Sequence, residues 1–477
     1  MRITLQKWKK ALLLSVDFSL LLVFSIATLS TVSAQPTLPV HNVSSGIDYA
    51  TIQEAVDAEE TLDGHTILVD SGVYHENVII KKAVTLLGES QNAAVVNGNG
   101  TGRVVALTAS GAKIVGFTVQ NGEWGIEISA VQNASVIENR VSNCSYGGIF
   151  VHESSTCEVA NNTVISTTQA GIYLWESYGI LITNNTISNT LHGIYLLVRS
   201  TNNTIVENFV TNNTQGIALS YDCDRNTVAG NIVTFSGSGI VMGGSKNNTI
   251  YHNNVFHNNR QAWSYGDASN FWDGGNEGNY WGDYAGIDLN LDGVGDTPYA
   301  IDEMNRDNYP LTGKFYRFNV TFQQEVFSID IISNSTVSDL YFKVMDGPEI
   351  VKAIGFNVTA EDSSICFCRI IIPTALVNYS YSVLVNGERV DVNVLDISNS
   401  THAYLHFKYS TSTKHVLIVP ELPSTLISSL LIILITVITM TAHIRSRKTT
   451  PRVSRSATHI STTFILSSTC IGGRAET

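Results

Sequence analysis

One short phrase recurs six times between Gly125 and Gln261, and it limits the possible folds more than any other feature of the chain. Gly-Ile stands at Gly125-Ile126, Gly148-Ile149, Gly171-Ile172, Gly193-Ile194, Gly216-Ile217 and Gly239-Ile240, in steps of 23, 23, 22, 23 and 23 residues. Inside each copy lies [Val/Ile]-x-x-Asn-x-[Val/Ile], centred on Asn139, Asn162, Asn185, Asn208, Asn231 and Asn253. A period this short, with no helical spacing inside it, points to a β-solenoid; propeller blades need about 40 residues. Residues facing the same way along a strand are an even number apart. The apolar flanks of each Asn, such as Val136 and Val141, are five apart, so the chain has to bend between them. Asn tolerates the left-handed conformation a bend requires, which places the bend at the Asn itself. Stacked coils then set Asn over Asn, where amides hydrogen-bond along the axis. The Gly before each Ile is expected at a second corner for the same conformational reason. The expected fold is all-β: a right-handed parallel β-helix, then a small β-sandwich and a C-terminal transmembrane helix.

The chain begins with a targeting pattern. Arg2, Lys7, Lys9 and Lys10 precede an apolar run from Ala11 to Leu29, and Val32-Ser33-Ala34 offers a cleavage site. Residues 1–34 are read as a signal peptide, with an uncleaved anchor as the alternative. The whole chain carries −13, but residues 35–442 carry −21, from 18 Lys and Arg against 39 Asp and Glu. That excludes nucleic acid as a partner. Fourteen Asn-x-Ser/Thr sequons lie between Asn42 and Asn399, consistent with a glycoprotein, although several adjoin the Asn repeat and repetition alone could generate them. Cys144, Cys157, Cys223, Cys366 and Cys368 form no metal or disulfide pattern, and Cys366 and Cys368, which would share one face of a strand, read as small buried hydrophobes.

Domain boundaries follow from changes of pattern. Residues 35–262 are the β-helix, opened by an amphipathic helix over Asp48–Ala58 that presents Ile52, Ala55 and Val56, with Tyr49 extending the same face. Such a cap shields the first coil from edge pairing. Strand-like runs at Thr66–Val69, Asn77–Ile80, Val84–Leu87, Ala93–Val96 and Val104–Leu107 bring the solenoid to nine or ten coils, roughly 45 Å at the interstrand spacing. Residues 263–312 are a closing segment. Here Trp263, Phe271, Trp272, Tyr280, Trp281 and Tyr284 are expected to cover the last coil. Residues 313–419 alternate in seven or eight short runs, with Asn386-Gly387 a two-residue hairpin signal. Residues 420–444 contain Leu422–Ala442, 21 residues without a charge, enough to span a bilayer. Arg445, Arg447 and Lys448 then place the tail, 445–477, inside the cell.

The segment YATIQEAVDAEETLDGHTILVDSGVYHENVIIKKAVTLLGES resembles the amino-terminal cap and first coils of pectin-lyase-like β-helices. GNYWGDYAGIDLNLDGVGDTPYAID with DNYPL, in Gly278–Asp302 and Asp307–Leu311, resembles the closing segment of NosD-type proteins. That family is often labelled periplasmic copper-binding and carries carbohydrate-binding/sugar-hydrolase repeats. The resemblance covers roughly residues 46–312 and implies a β-helix, with copper or carbohydrate as ligand. The later sandwich resembles membrane-proximal modules of archaeal surface proteins, and Pro420-Glu421-Leu422-Pro423 resembles their sorting signals.

Candidate chemistry lies on one column. Glu153, Glu176, Arg199 and Asp222 step by 23 residues, with Asp224 beside Asp222 and one inserted residue near Arg199. His152, Trp175 and Tyr221 occupy the next column, and Tyr173, Tyr178 and His192 are close. One reading is a sugar groove built on Glu153, Tyr173, Trp175, Glu176 and Asp222. The other is a solvated turn in which opposite charges pair weakly, and it is preferred, most of all over catalysis. No residues match lyase or polygalacturonase motifs in order. Copper sites need clustered Cys, Met or His, and the pair His252 and His257 reads as loop polarity, so copper is not carried over. Calcium is expected instead at Asp288, Asn290, Asp292 and Asp296. These place side-chain oxygens at alternate positions around Gly293, although Tyr299 stands where an EF-hand has its bidentate Glu. The functional expectation is an exported, membrane-anchored surface protein whose β-helix is structural or contacts polysaccharide or envelope glycan. The alternatives are a polysaccharide lyase, hydrolase or epimerase, and a NosD-like metal-maturation protein.

Overall fold

The structure, a computed structural model, describes residues 38–345, 351–360, 366–377, 380–410 and 413–420. The export segment (1–34), Leu422–Ala442 and the tail (445–477) lie outside the described residues, among which no helix is long and apolar enough to cross a membrane. The chain is all-β. A parallel β-solenoid is built from sheets of 11, 10 and 9 strands. One coil supplies one strand to each: Ser135–Ile137 to the first sheet, Arg140–Ser142 to the second and Gly147–His152 to the third. The apolar flanks stack in register, Val136 on Val159 and Val141 on Val164. With Ile126, Ile149 and Ile172 of the third sheet they form a core without solvent exposure. Burying whole columns of Val and Ile supplies the main driving force.

The bend sits one residue earlier than the sequence reading placed it. The left-handed residues are Glu138, Asn161, Asn184, Glu207, Gly230 and His252, with φ between 54° and 65°. Each ladder Asn follows one of them and turns inward. Asn162 donates its backbone N–H (2.9 Å) and its Nδ2 (3.0 Å) to Asn185 Oδ1, and Asn185 does the same to Asn208 at 3.0 Å each. Asn is selected here because its side chain both accepts and donates, which leaves no buried amide unpaired at the corner. A second ladder, Asn203–Asn226–Asn248–Asn270, runs along another corner.

The glycines of the Gly-Ile pairs also have a different reason than expected. None of the six has positive φ. A Cβ on Gly148 would meet Val164 Cγ1 and, at 2.6 Å, the carbonyl oxygen of Gly171. These positions are glycine because two coils and two sheets converge on them.

The amino-terminal helix is shorter than expected, Ile52–Asp57, capped by Thr51 Oγ1 on Glu54 N (3.2 Å). Ile52, Ala55 and Val56 are buried as expected, whereas Asp48 and Tyr49 belong to a strand, Ile47–Tyr49. That strand pairs antiparallel with Val40–Asn42, which pairs with Thr66–Val69. The open edge of the first sheet is thus ended by a three-residue strand.

Residues Lys314–Pro420 form two five-stranded antiparallel sheets. Asn386 and Gly387, at φ 50° and 86°, make the hairpin turn. Two strand assignments change. Val351–Thr359 is a strand the sequence reading passed over. Tyr341 of the neighbouring strand covers its Gly355. The run Val390–Val394, one strand by its alternation, divides into two short strands in different sheets, Glu388–Val390 and Val392–Val394. Arg369, 1% exposed, joins the sandwich to the solenoid. It pairs with Glu277 and donates Nε to the Asp292 carbonyl at 2.8 Å.

Candidate functional site

The outer face of the third sheet is set by the Gly-Ile phrase. Each Ile points inward, so the residue after it points out. The resulting column is Glu127, Phe150, Tyr173, Tyr195, Ala218, Val241 and Trp263, in register. Its rings stack along the axis: Phe150 on Tyr173 at 5.1 Å and 17°, Tyr173 on Tyr195 at 5.5 Å and 26°. Trp124 lies over Gly147 and stacks on Phe150 at 4.5 Å, and His192 stacks on Tyr195 at 4.2 Å. The faces of these rings cover one another, which leaves rims toward solvent. Tyr173, 8% exposed, therefore belongs to the interior of the stack, and burial pushes its phenol above the ordinary value.

Trp175 behaves differently. It stands edge-on to Tyr173 at 70° and is only half-buried. In its column Tyr265 lies over Gly243 and reaches Ser220, hydroxyl to hydroxyl at 3.2 Å. Tyr146, Tyr221 and Tyr265 are exposed along the borders.

Glu153, Glu176, Arg199 and Asp222 come together as expected, on successive coils of the corner that follows this sheet. All four are left-handed, with φ of 48°, 47°, 51° and 59°. The inserted residue near Arg199 is absorbed because Val198 and Tyr221 are left-handed as well. Glu176 pairs with Arg199, and Glu153 lies 3.3 Å from His152 Nε2. Asp224 Oδ1 accepts from Lys246 N at 2.8 Å, so it caps a turn. The acidic corner therefore borders Trp175, while Tyr173 stays within the sheet. Sequence reasoning missed Trp124, Phe150 and Tyr195. Two of these follow a Gly-Ile pair directly, and that position was the available signal. It also missed Glu127, 5% exposed and paired with Arg103 at the amino-terminal end of the stack.

In the closing segment, Asp288 accepts from Asp292 N (3.2 Å) and Gly293 N (2.9 Å), and Asp292 Oδ1 from Val294 N (2.8 Å). Asn290 Nδ2 reaches Asp292 Oδ2 at 2.9 Å, while Asp296 Oδ2 caps Leu289 N at 2.9 Å. Burial, with Asp292 nearby, raises the Asp288 carboxyl. Trp272 and Trp281 are buried over the last coil, but Phe271 is exposed and Trp263 belongs to the outer sheet face. His252 and His257 lie on different corners. His252 binds Glu277 at 2.8 Å, and His257 packs by Phe235.

Residues 63–286, a little under half of the chain, match the family described as "Periplasmic copper-binding protein (NosD)". The donor set does not fit a copper centre among the described residues. No three His, Cys, Asp or Glu side chains converge there, and the cysteines are buried singly, with the Cys223 thiol pushed up to about 12 by burial. A cell surface glycoprotein of Methanothermus fervidus is 30% identical over 110 residues, 23% of this chain and 18% of that protein. The chain thus spans under a fifth of that relative. Among solved structures, the Dettilon tailspike protein gp208 shares 12% identity at a TM-score of 0.36, over 74% of this chain and 87% of that one. The periplasmic alginate epimerase AlgG shares 16% at 0.29, over 46% and 73%.

Proposed function

We propose that this chain, whose residues 63–286 match the NosD family, is an exported surface protein that contacts carbohydrate through the outer face of its third sheet. One observation carries the reading: half-buried Trp175 borders a corner where Glu153, Glu176 and Asp222 stand with Arg199 between the last two. Ring edges and faces take the apolar side of a sugar, and Glu153, Glu176 and Asp222 accept its hydroxyls. Coils stand about 4.8 Å apart, and those beside Trp175 present His152 and Leu197 at its register position, so a sugar chain along the axis would meet its main ring at Trp175 and different neighbours on either side. The cell-surface relative, the sequons and the acidic composition support an extracellular location. Leu422–Ala442 would anchor the chain, with Arg445, Arg447 and Lys448 on the inner side. The test is a glycan array with the full chain and its Trp175→Ala variant. Binding that falls at least tenfold in the variant is expected. Absence of binding, or binding unchanged by Trp175→Ala, sinks the reading.

A further inference from the structure

A second surface has the makings of a ligand site, and the chain carries its own ligand attachment point there. A groove of about 390 Å³ runs between the corner joining the first two sheets and the first sandwich strand, Lys314–Phe322. Its walls include Asn184, Glu207, Phe209, Tyr251 and Phe318, and Gly230 leaves the column open between Glu207 and His252. Three aromatic rings beside a carboxylate and an amide form a lining suited to a sugar. Asn184 heads the sequon Asn184-Asn185-Thr186. It is exposed and left-handed at φ 54°, while Asn185 turns inward as a ladder residue. The sequon asparagine is thereby held outward, at the end of the groove away from the Asn254–Phe315 contact.

The strand opposite needs a cover. Among the described residues Lys314–Phe322 is an edge strand of nine residues, paired in its sheet with Glu325–Ser333. On its other edge Asn254 takes the N–H and C=O of Phe315, each at 2.7 Å. A long edge left open invites pairing with another chain.

We propose that an N-linked glycan on Asn184 lies in this groove and seals the edge strand against the β-helix. In its attachment Asn184 Nδ2 displaces the phosphate of a lipid-linked oligosaccharide. The N–C1 bond forms, the C1–O bond breaks, and one amide proton leaves with the phosphate leaving group. The first sugars then contact Phe209 and Tyr251 and donate from their hydroxyls to the Glu207 carboxylate.

The experiment uses the full chain from an N-glycosylating host. Glycopeptide mapping is expected to find Asn184 occupied. Asn184→Gln and, separately, Thr186→Ala should each raise amide exchange in Lys314–Phe322 about tenfold. Asn161→Gln removes a sequon on the same corner one coil away, outside the groove, and should leave that exchange unchanged. An unmodified Asn184, wild-type exchange in the glycan-free variants, or an equal rise with Asn161→Gln overturns the proposal.

Discussion

Asn279 donates its backbone N–H at 2.8 Å and its Nδ2 at 3.3 Å to one oxygen of Asp307. This is where the inner ladder ends. Along the ladder each Asn hands its donors to the Oδ1 of the next coil, through Asn253 to Asn279. The last member needs an acceptor that brings no donor of its own, and a carboxylate is that group. Trp281 Nε1 joins on the same oxygen at 2.9 Å, and Tyr309 N takes the other at 3.0 Å. The second ladder ends in the same way: Asn305 Nδ2 donates to both oxygens of Asp302, at 3.0 and 2.9 Å.

Asp307→Ala should therefore destabilise the folded chain by about 3 kcal/mol, since three buried donors lose their acceptor. Asp307→Asn should cost less but remain destabilising, because its amide must face one of them. Burial pushes the Asp307 carboxyl up to about 6, against the pull of its N–H partners. The folded chain thus holds this proton more tightly than the unfolded chain. Its contribution to stability is full below about 4 and is lost as pH rises through about 6. Thermal melts of wild type and Asp307→Asn across that window check the sign, and parallel profiles would refute it.

Glu277 behaves in the opposite way. Burial works to raise it, but the hydrogen bond from His252 and the charge of Arg369 outweigh burial and hold it at about 2. Its contribution is present above about 4.5 and lost as pH falls toward about 2. Arg369→Ala would leave Glu277 buried beside His252 alone, and removing one partner of a buried pair costs about 3–5 kcal/mol. Urea unfolding of the variant measures it; a loss under about 1 kcal/mol contradicts the coupling of sandwich and solenoid through this pair.

Gly148→Ala tests the close approach of coils. Its Cβ would collide with Val164 and the Gly171 carbonyl, and overpacking of this kind costs about 1–3 kcal/mol. Gly244, left-handed with open space around it, should accept Asn at little cost. Equal melting shifts for the two variants would contradict the steric account.

Glu176→Ala and Asp222→Ala should each change stability by no more than ~0.5 kcal/mol, as corner residues outside the core, Asp222 exposed and Glu176 half-buried. Loss of more than that would mean the Glu176–Arg199 pair is structural. Their effect on sugar binding is read separately on the glycan array.

Calcium is proposed at the Asp288–Asp296 loop, where Asp288, Asp292 and Asp296 accept from backbone N–H groups and would have to turn toward the ion; it should raise the melting temperature of the chain, and Asp292→Ala should abolish the rise. The Asp292 carbonyl accepts from Arg369, so a clamped loop would also stiffen the docking of the sandwich. A calorimetric titration of chelator-treated protein with no heat of binding would remove calcium from the account.

The six-fold phrase by itself determined the coil, the inner columns and the Asn ladder, because a residue repeated at one period must stack on its copies. It also placed Glu153, Glu176 and Asp222 on one corner. Which residue of a corner takes the left-handed conformation was decided only in three dimensions. The inward Asn stays out of the left-handed region while its side chain reaches the next coil, and Glu138 and its equivalents turn instead. The Gly-Ile glycines read as turn residues because sequence carries conformational preference but not the atoms of the next coil. Tyr173 looked like a platform for the same reason, since only the stacked coils reveal that Phe150 and Tyr195 cover its faces. Asp302, Asp307, Glu277 and Arg369 repeat nowhere. Asp307 and Asn279 are 28 residues apart along the chain and Arg369 and Glu277 are 92, and the fold alone brings such partners together.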